Sequence, residues 1–237
     1  MSDLPTGTIT FLFTDIEGST GLWQQHRDAM PAALARHHVI LQNAIESHNG
    51  YVFQIIGDAF CAAFFTPSDA LAATIEAQRA LGAETWGTTG TLRVRMGLHT
   101  GVTEVHLDDV KAGQYASGLT LSRAQRIMSA GYGGQVLVSS TTYELLRGLL
   151  PDGVTLRDLS EHRLKGLRNP EHLWQVVAPD LQPEFPPLQS LNVMPNNLPS
   201  QLSTFIGREK EIARVKQLLT GMGEGRGGVH THQAKLC

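Results

Sequence analysis

Apolar residues follow two different periods along most of this chain, one typical of strands and the other of helices. Residues 8–14 are rich in β-branched and aromatic types, which predicts a buried strand. Between residues 19 and 48 the apolar positions recur at helical spacing, which predicts a helix. Ser19 is expected to cap that helix, and Pro31 to break or restart it.

A hairpin is predicted next, because two apolar runs, 51–56 and 59–65, flank Gly57-Asp58. The later predicted elements are a helix over 67–81, paired strands at 92–98 and 101–107, a helix over 118–128, a strand at 136–138, a helix over 140–149, and strands at 154–159 and 172–177. The order β-α-β-β-α-β matches a ferredoxin-like split βαβ sheet. We therefore predict an α+β fold with helices on one face and additions on the C-terminal side.

Composition narrows the function classes. The 237 residues carry a net charge of −3 and a pI near 6.4, which argues against direct nucleic-acid binding through a broad basic surface. No apolar stretch reaches the ~18–20 residues that span a bilayer, and no signal peptide is recognisable. Two cysteines, Cys61 and Cys237, do not make a disulfide framework. A soluble, cytoplasmic protein without a membrane partner is expected.

Two aspartates are the strongest candidates for metal ligands in the sequence. Asp15 and Asp58 each follow an apolar strand-like run, so their carboxylates face each other if the two strands pair. Paired carboxylates are the hard oxygen ligands that Mg²⁺ or Mn²⁺ prefers. The alternative is that Asp15 only caps the next helix and Asp58 only occupies a turn. Backbone N–H groups of residues 17–20, including Gly18, Ser19 and Thr20, lie at a helix start and are candidates for cradling phosphates.

Five short segments, in this order, resemble the class III nucleotide cyclases, the bacterial adenylate/guanylate cyclase catalytic domain. They are FTDIEGST (13–20), GDAF (57–60), VRMGLHTG (94–101), SRAQR (122–126) and GGQVLVS (133–139). The resemblance covers residues 6–178. It implies a phosphorus–oxygen lyase that forms 3′,5′-cyclic nucleotide and pyrophosphate from ATP or GTP in intracellular signalling.

The resemblance also implies a site with two Mg²⁺ or Mn²⁺ ions. Asp15, Asp58 and the backbone carbonyl of Ile16 match the metal ligands. In the family, one ion activates the ribose 3′-hydroxyl, which attacks the α-phosphorus, and the other holds the β- and γ-phosphates.

Three further residues match family positions that contact the nucleotide. Arg126 matches the arginine that neutralises charge at the α-phosphate, and a surface ion pair is its alternative role. Ser122 stands where the family usually has an asparagine that orients the ribose. Lys165 matches a lysine that binds the β- and γ-phosphates, and a solvated lysine is the alternative.

The residues expected to read the base depart from the family pattern. Gln54 occupies the position of a lysine in adenylate-specific members. The partner aspartate falls at Tyr115, or at Gln114 if the loop holds one more residue. A glutamine amide both donates and accepts hydrogen bonds, so ATP and GTP stay open as substrates.

In the family, each active site lies at the interface of a dimer, with metal aspartates from one subunit and the arginine from the other. The resemblance therefore implies a homodimer with two equivalent sites. The rival interpretation is a degenerate domain, a sensor in a transcription regulator, that binds nucleotide or dimerises with little turnover. Gln54, Tyr115 and Ser122 favour this rival.

The C-terminal stretch has a different composition. Residues 179–201 are rich in proline and predict a linker. Residues 202–220 resemble the truncated start of an ATPase module of LuxR-type or signal-transduction ATPase regulators, and no phosphate-binding loop follows. Residues 221–237 are rich in glycine and histidine and are expected to be disordered.

Overall fold

A seven-stranded sheet forms the centre of the protein in the computed structural model, which describes residues 5–103, 115 and 118–191. The strands are β1 (Gly7–Ile16), β2 (Tyr51–Ile56), β3 (Ala59–Phe64), β4 (Val94–Thr103), β5 (Val136–Ser139), β6 (Thr155–His162) and β7 (Glu171–Val177). The helices are α1 (Ser19–Gln25), α2 (Met30–Ser47), α3 (Pro67–Ala83), α4 (Leu119–Ala130) and α5 (Ser140–Leu146).

The strand order confirms the predicted fold class. The sheet runs β2-β3-β1-β4-β5-β7-β6, and its first four strands are antiparallel neighbours, as in a ferredoxin-like fold. β5 then joins β4 in parallel, and β7 and β6 continue the sheet in antiparallel order. These last three strands are the predicted C-terminal additions.

Helices cover both faces of the sheet, which differs from the expectation of one face. Leu12 and Ile16 of β1 pack in the large core with α2 and α3, whereas Ile9 and Phe11 point to the other face, where they pack with Ala124 of α4. Strand side chains alternate between faces, so the apolar residues on both faces of β1 require a packed layer on each side.

Glycines let α4 approach β4 closely. A Cβ atom added to Gly97 would lie 2.6 Å from the backbone nitrogen of Met128, and one added to Gly101 would lie 2.7 Å from Cγ2 of Thr120. These glycines therefore serve helix packing. β4 is one continuous strand that pairs with β1 from Val94 to Thr103, so the predicted pairing of 92–98 with 101–107 is wrong. Residues 104–107 lie outside the described part of the chain.

The predicted break in the first long helix is confirmed. α1 ends at Gln25, and Pro31 lies in the first turn of α2, where its missing N–H costs nothing. The predicted cap at Ser19 is wrong. Gly18 occupies the N-cap position with φ of 69°, and no side chain caps the helix.

Residues 179–191, the described part of the predicted linker, pack on the domain. Leu188 is buried, and backbone hydrogen bonds join Gln189 to Ala130 and Leu191 to Arg163. The remainder of the predicted linker, the ATPase-like start at 202–220 and the tail at 221–237 lie outside the described residues. Within the described ranges, no helix is long and apolar enough to cross a membrane.

His37 is a buried polar residue without a hydrogen-bond partner. Its side chain in α2 is 0% exposed, and neither ring nitrogen has a partner among the described residues. Burial, with a smaller contribution from the neighbouring His38, lowers the pKa of His37 to about 4. The folded protein thus keeps this imidazole neutral.

We expect His37→Leu to raise the free energy of unfolding by about 1–2 kcal/mol at pH 7.5, because it removes an unpaired buried polar group. The unfolded chain takes up the His37 proton near pH 6.5 and the folded chain only near pH 4, so wild-type stability falls as the pH drops through that window. The leucine variant should lose less stability over the same window. Denaturant unfolding at pH 7.5, 6 and 5 measures both effects.

His99→Leu is the matched control. Burial also lowers the pKa of His99 to about 4, but its Nδ1 lies 2.8 Å from the Ser139 hydroxyl. This variant should show the same flatter pH dependence and a lower stability at pH 7.5. A His37→Leu protein that is less stable than wild type at pH 7.5 would contradict the account.

Candidate active site

The structure brings Asp15, Ile16 and Asp58 together at one end of the sheet. Asp15 and Ile16 end β1, and Asp58 lies in the two-residue turn between β2 and β3. The Asp58 carboxylate accepts a hydrogen bond from the Ile16 backbone N–H at 3.0 Å. Asp58 is close enough for its charge to contribute to a raised pKa of Asp15. The two carboxylates and the Ile16 backbone therefore share one small region.

The turn that carries Asp58 is held on both sides. The His38 ring donates a hydrogen bond to the Gly57 carbonyl at 3.0 Å, and the Phe60 backbone N–H donates to the Thr14 hydroxyl at 3.1 Å. Gly57 has φ of 61°, a conformation that glycine adopts without strain. These contacts fix the Asp58 carboxylate relative to the end of β1.

Arg95 is a site residue that sequence reasoning missed. It lies directly opposite Asp15 in the β1–β4 register, and its Nε donates to an Asp15 carboxylate oxygen at 2.9 Å. Burial raises the pKa of Asp15, and the Arg95 guanidinium works in the opposite direction. Apolar and basic residues alternate over residues 92–96, which indicates that the Arg95 side chain points away from the main core. Only the strand register shows that it meets Asp15.

The predicted phosphate loop follows directly after β1. Gly18 precedes α1, and Ser19 and Thr20 are the first residues of this helix. The Glu17 N–H is already bonded to the Arg93 carbonyl at 2.9 Å, so it is not available to a ligand in this arrangement. The backbone donors left as candidates belong to Gly18, Ser19 and Thr20.

Arg126 and Lys165 lie together in a different part of the domain. Arg126 is half-buried on α4, and its Nε would be 3.7 Å from a Cβ atom added to Gly166. Lys165 precedes that glycine and is exposed, as is Ser122, one helical turn before Arg126. Among the described residues, no ion pair involves Arg126, so the predicted alternative of a surface ion pair gains no support.

The two groups are separated by much of the sheet. Asp15 pairs with Arg95 near the start of β4. β5 runs parallel to β4, and its last residue, Ser139, pairs with Leu173 near the start of β7. The β6–β7 connection that carries Lys165 therefore lies at the end of the sheet opposite to Asp15. From β3 to β7 there are four strand spacings, which is about 19 Å. One chain therefore presents two incomplete groups of polar residues.

The predicted base-reading residues have different environments. Gln54 is exposed on the edge strand β2, and a bulge between Val52 and Gln54 pairs Gln54 with Cys61, whose side chain packs on the α4 face. The bulge thus places Gln54 on the face of the sheet that α4 covers. Gln114 lies outside the described residues.

Tyr115 packs as a core residue. Its ring is 6% exposed and lies edge-on to Phe11 and Phe53 at centroid distances of 5.1 and 4.9 Å. Its hydroxyl donates to the Pro5 carbonyl at 2.6 Å, and burial raises its pKa. In this arrangement the Tyr115 hydroxyl has a partner inside the chain and is not offered to a base.

The donor set fits Mg²⁺ or Mn²⁺ with a nucleotide. Within the described residues, no group of three or more His, Cys, Asp and Glu side chains could enclose a metal ion. Mg²⁺ usually binds through one or two carboxylates, with waters and substrate phosphates as its other ligands. Asp15, Asp58 and the Ile16 carbonyl supply such an open, all-oxygen set.

We expect Arg95→Gln to bind Mn²⁺ about fivefold more tightly than wild type in the absence of nucleotide, a change of about 1 kcal/mol. The reason is that the guanidinium occupies an Asp15 oxygen and repels a cation. Electron paramagnetic resonance of free Mn²⁺ measures the affinity. Arg93→Gln is the control, because Arg93 is exposed directly before β4 and is not paired with Asp15. Unchanged or weaker binding in Arg95→Gln would contradict competition at Asp15.

The fold and the paired carboxylates define a cyclase-type catalytic domain. Adenylate cyclases of Trypanosoma brucei, solved in their monomeric state, share the fold with a TM-score of 0.69 and 28% identity, over 79% of this chain and 94% of theirs. An adenylyl cyclase of Pseudomonas aeruginosa shares it with a TM-score of 0.64 over 76% of this chain and 97% of its own, at 23% identity.

The adenylate and guanylate cyclase catalytic domain model matches residues 1–178, and the chain belongs to this family. An uncharacterised protein of Mycobacterium tuberculosis is 40% identical over 212 residues, which are 88% of this chain and 70% of that protein. A receptor-type adenylate cyclase of Trypanosoma equiperdum is 29% identical over 209 residues, and the match spans 73% of this chain and 45% of the receptor.

Proposed function

We propose that this chain is a nucleotide cyclase that converts ATP or GTP into 3′,5′-cyclic nucleotide and pyrophosphate as a homodimer. The observation that carries the proposal is the separation of the two polar groups. Asp15 and Asp58 lie together at one end of the sheet, and Arg126 lies beside Gly166 of the Lys165 loop on the β6–β7 side. A two-fold dimer of such chains would join each carboxylate pair to the arginine and lysine of the other chain, giving two equivalent sites.

Asp15, Asp58 and the Ile16 carbonyl would hold two Mg²⁺ or Mn²⁺ ions with the triphosphate. Bound there, the ions supply charge neutralisation and lower the pKa of a coordinated hydroxyl. The chain's own contribution is orientation. The contacts of His38 and Thr14 fix the Asp58 turn, and so fix where the triphosphate would lie relative to β1.

Cationic side chains would stabilise the charge that develops on the phosphates. Arg126 would neutralise the α-phosphate in the transition state, and Lys165 would bind the β- and γ-phosphates. Arg95 would be released from Asp15 once cations neutralise that carboxylate, and its guanidinium would then face the same anionic substrate. Gly18, Ser19 and Thr20 would add backbone N–H donors, and Ser122 would hydrogen-bond the ribose.

Gln54 would contact the base from the edge of the sheet. Its amide can present a donor or an acceptor, and it fits adenine and guanine through opposite orientations. Relaxed discrimination between ATP and GTP follows from this flexibility, because a wrong base leaves no fixed polar group unpaired. A cytoplasmic location and the lack of membrane or nucleic-acid partners stay predictions.

A degenerate domain that binds nucleotide without turnover is the second candidate. The observation that favours it is Tyr115, whose hydroxyl is bonded to Pro5 inside the core. Such a domain would act by binding or dimerisation, as in a sensor.

Product formation separates the two candidates. Purified protein is incubated with ATP or GTP and Mn²⁺, and cyclic nucleotide and pyrophosphate are quantified. A cyclase releases the two products in equal amounts. Nucleotide that binds in equilibrium dialysis and is recovered unchanged after prolonged incubation would support the degenerate domain and overturn the proposed reaction.

A further inference from the structure

Residues 179–191, which end the described part of the chain, join two elements that carry proposed active-site residues. The Gln189 N–H donates to the carbonyl of Ala130, the last residue of α4, at 2.9 Å. The Leu191 N–H donates to the carbonyl of Arg163 at 2.9 Å, in the β6–β7 connection that also carries Lys165. The same short segment therefore ties α4 to the Lys165 loop.

Side chains strengthen this tie. The Ser190 hydroxyl lies 3.0 Å from Nδ1 of His162, the last residue of β6. Earlier in the segment, the Pro187 carbonyl accepts a hydrogen bond from the Tyr132 hydroxyl at 2.8 Å. Arg157 of β6 donates to the Pro183 carbonyl at 3.0 Å. Proline cannot donate through its backbone, and here the carbonyls of two prolines are used as acceptors.

Leu188 packs in an apolar cluster that includes residues of both elements. It is 4% exposed and belongs to a small apolar cluster with Ile127 and Ala130 of α4 and Leu164 of the connection. Ile127 follows Arg126 directly, and Leu164 precedes Lys165 directly. Arg126 and Lys165 are therefore each adjacent in sequence to a residue that packs in the same apolar cluster as Leu188.

We propose that Leu188 is a positioning residue for the reaction, because it fixes the spacing between Arg126 and Lys165. The inference rests on the proposed cyclase function of these two residues. A displacement of about 1 Å in a catalytic group can cost about a hundredfold in rate, so loss of the buried side chain should be visible in turnover. Residues beyond 178, the limit of the family match, thereby belong to the working catalytic unit.

The test compares Leu188→Ala with Leu191→Ala in the full chain. Leu191 is in the same segment, and its side chain is 49% exposed, so its variant should behave like wild type. We expect Leu188→Ala to lower kcat/KM for the nucleotide about ten- to a hundredfold. The Mn²⁺ concentration for half-maximal activity should not change, because Asp15 and Asp58 lie at the other end of the sheet.

A mixing experiment separates positioning from general destabilisation. In a homodimer with shared sites, Leu188→Ala impairs the Arg126 and Lys165 group and leaves the Asp15 and Asp58 pair intact. Asp58→Asn chains have an intact Arg126 and Lys165 group, so a mixture of these two variants should regain activity. Arg126→Ala chains lack the same group that Leu188→Ala impairs, so a mixture of those two variants should not. A Leu188→Ala protein that regains activity with neither partner, or with both equally, overturns the proposal.

Two additions keep the result decisive. Ser190→Ala removes only the hydroxyl near His162, so it should lower kcat/KM less than Leu188→Ala does and show the same mixing pattern. This variant tests the proposal if the Leu188→Ala protein folds poorly. A mixture of Asp58→Asn with Arg126→Ala does not involve Leu188. If that mixture stays inactive, the shared-site function fails; if it is active and the Leu188 and Ser190 variants show no preference for a partner, only the positioning role fails.

Discussion

Asp58→Asn is expected to reduce cyclic nucleotide formation by about 10²–10³-fold, the loss that corresponds to several kcal/mol of transition-state stabilisation. Asparagine keeps an oxygen that can accept the hydrogen bond from the Ile16 N–H, which Asp58 accepts in the native protein. The turn should therefore keep its shape while the site loses a negative charge. The measurement is the rate of product formation with saturating Mn²⁺, together with a thermal unfolding curve.

Asp28→Asn is the matched control for this substitution. Asp28 is exposed between α1 and α2. Its substitution by asparagine changes the net charge by the same amount as Asp58→Asn, but away from the carboxylate pair. Its rate should stay within about twofold of wild type, as for a surface change without partners. An Asp58→Asn protein that forms product at the wild-type rate would remove the metal role from this carboxylate and, with it, the proposed reaction.

Mixing two inactive variants is expected to restore activity. Asp58→Asn and Arg126→Ala chains each lack one group, and a dimer with one chain of each kind contains one complete site. Random exchange at equal concentrations makes half of the dimers mixed, so the mixture should reach about a quarter of the wild-type rate. Each variant alone should stay near background. The measurement is product formation after the chains have been incubated together at micromolar concentration.

The structure explains why this recovery is a strict test. Arg126 lies beside the Lys165 loop, and within one chain this loop is separated from Asp58 by about four strand spacings, or about 19 Å. A single chain therefore does not bring Asp58 and Arg126 into one site, and a complete site needs two chains. A mixture that stays inactive, although size-exclusion chromatography shows dimers, would exclude sites shared between subunits. Incubation of each variant with itself is the control for slow recovery of activity.

Local chemistry in the sequence predicted the elements well. Pro31 marks the start of a helix and Gly57-Asp58 a tight turn, because a fixed φ and a left-handed φ are properties of single residues. The sequence also placed Asp15 and Asp58 near each other, since each follows an apolar strand. Their role in binding metal stays a prediction.

Features that depend on register or on distant packing were missed. The contact of Arg95 with Asp15 joins residues that are 80 positions apart, and nothing local in either strand encodes the pairing. The sequence predicts that a separate strand begins at Gly101, yet Gly101 lies inside β4 and packs against Thr120 of α4. Residues 179–191 have the composition of a linker, but composition does not show that Leu188 is buried against α4 and the β6–β7 connection.

Gly97 has a consequence that extends beyond one chain. Because Gly97 has no side chain, the α4 backbone at Met128 lies close to β4, with no space for a Cβ atom between them. In the proposed homodimer, α4 would carry Arg126 to the shared site, so the spacing between β4 and α4 would help to set the position of Arg126. Even a single methyl group at position 97 would act as a wedge, lifting the helix and altering the gap across which two separate molecules must cooperate.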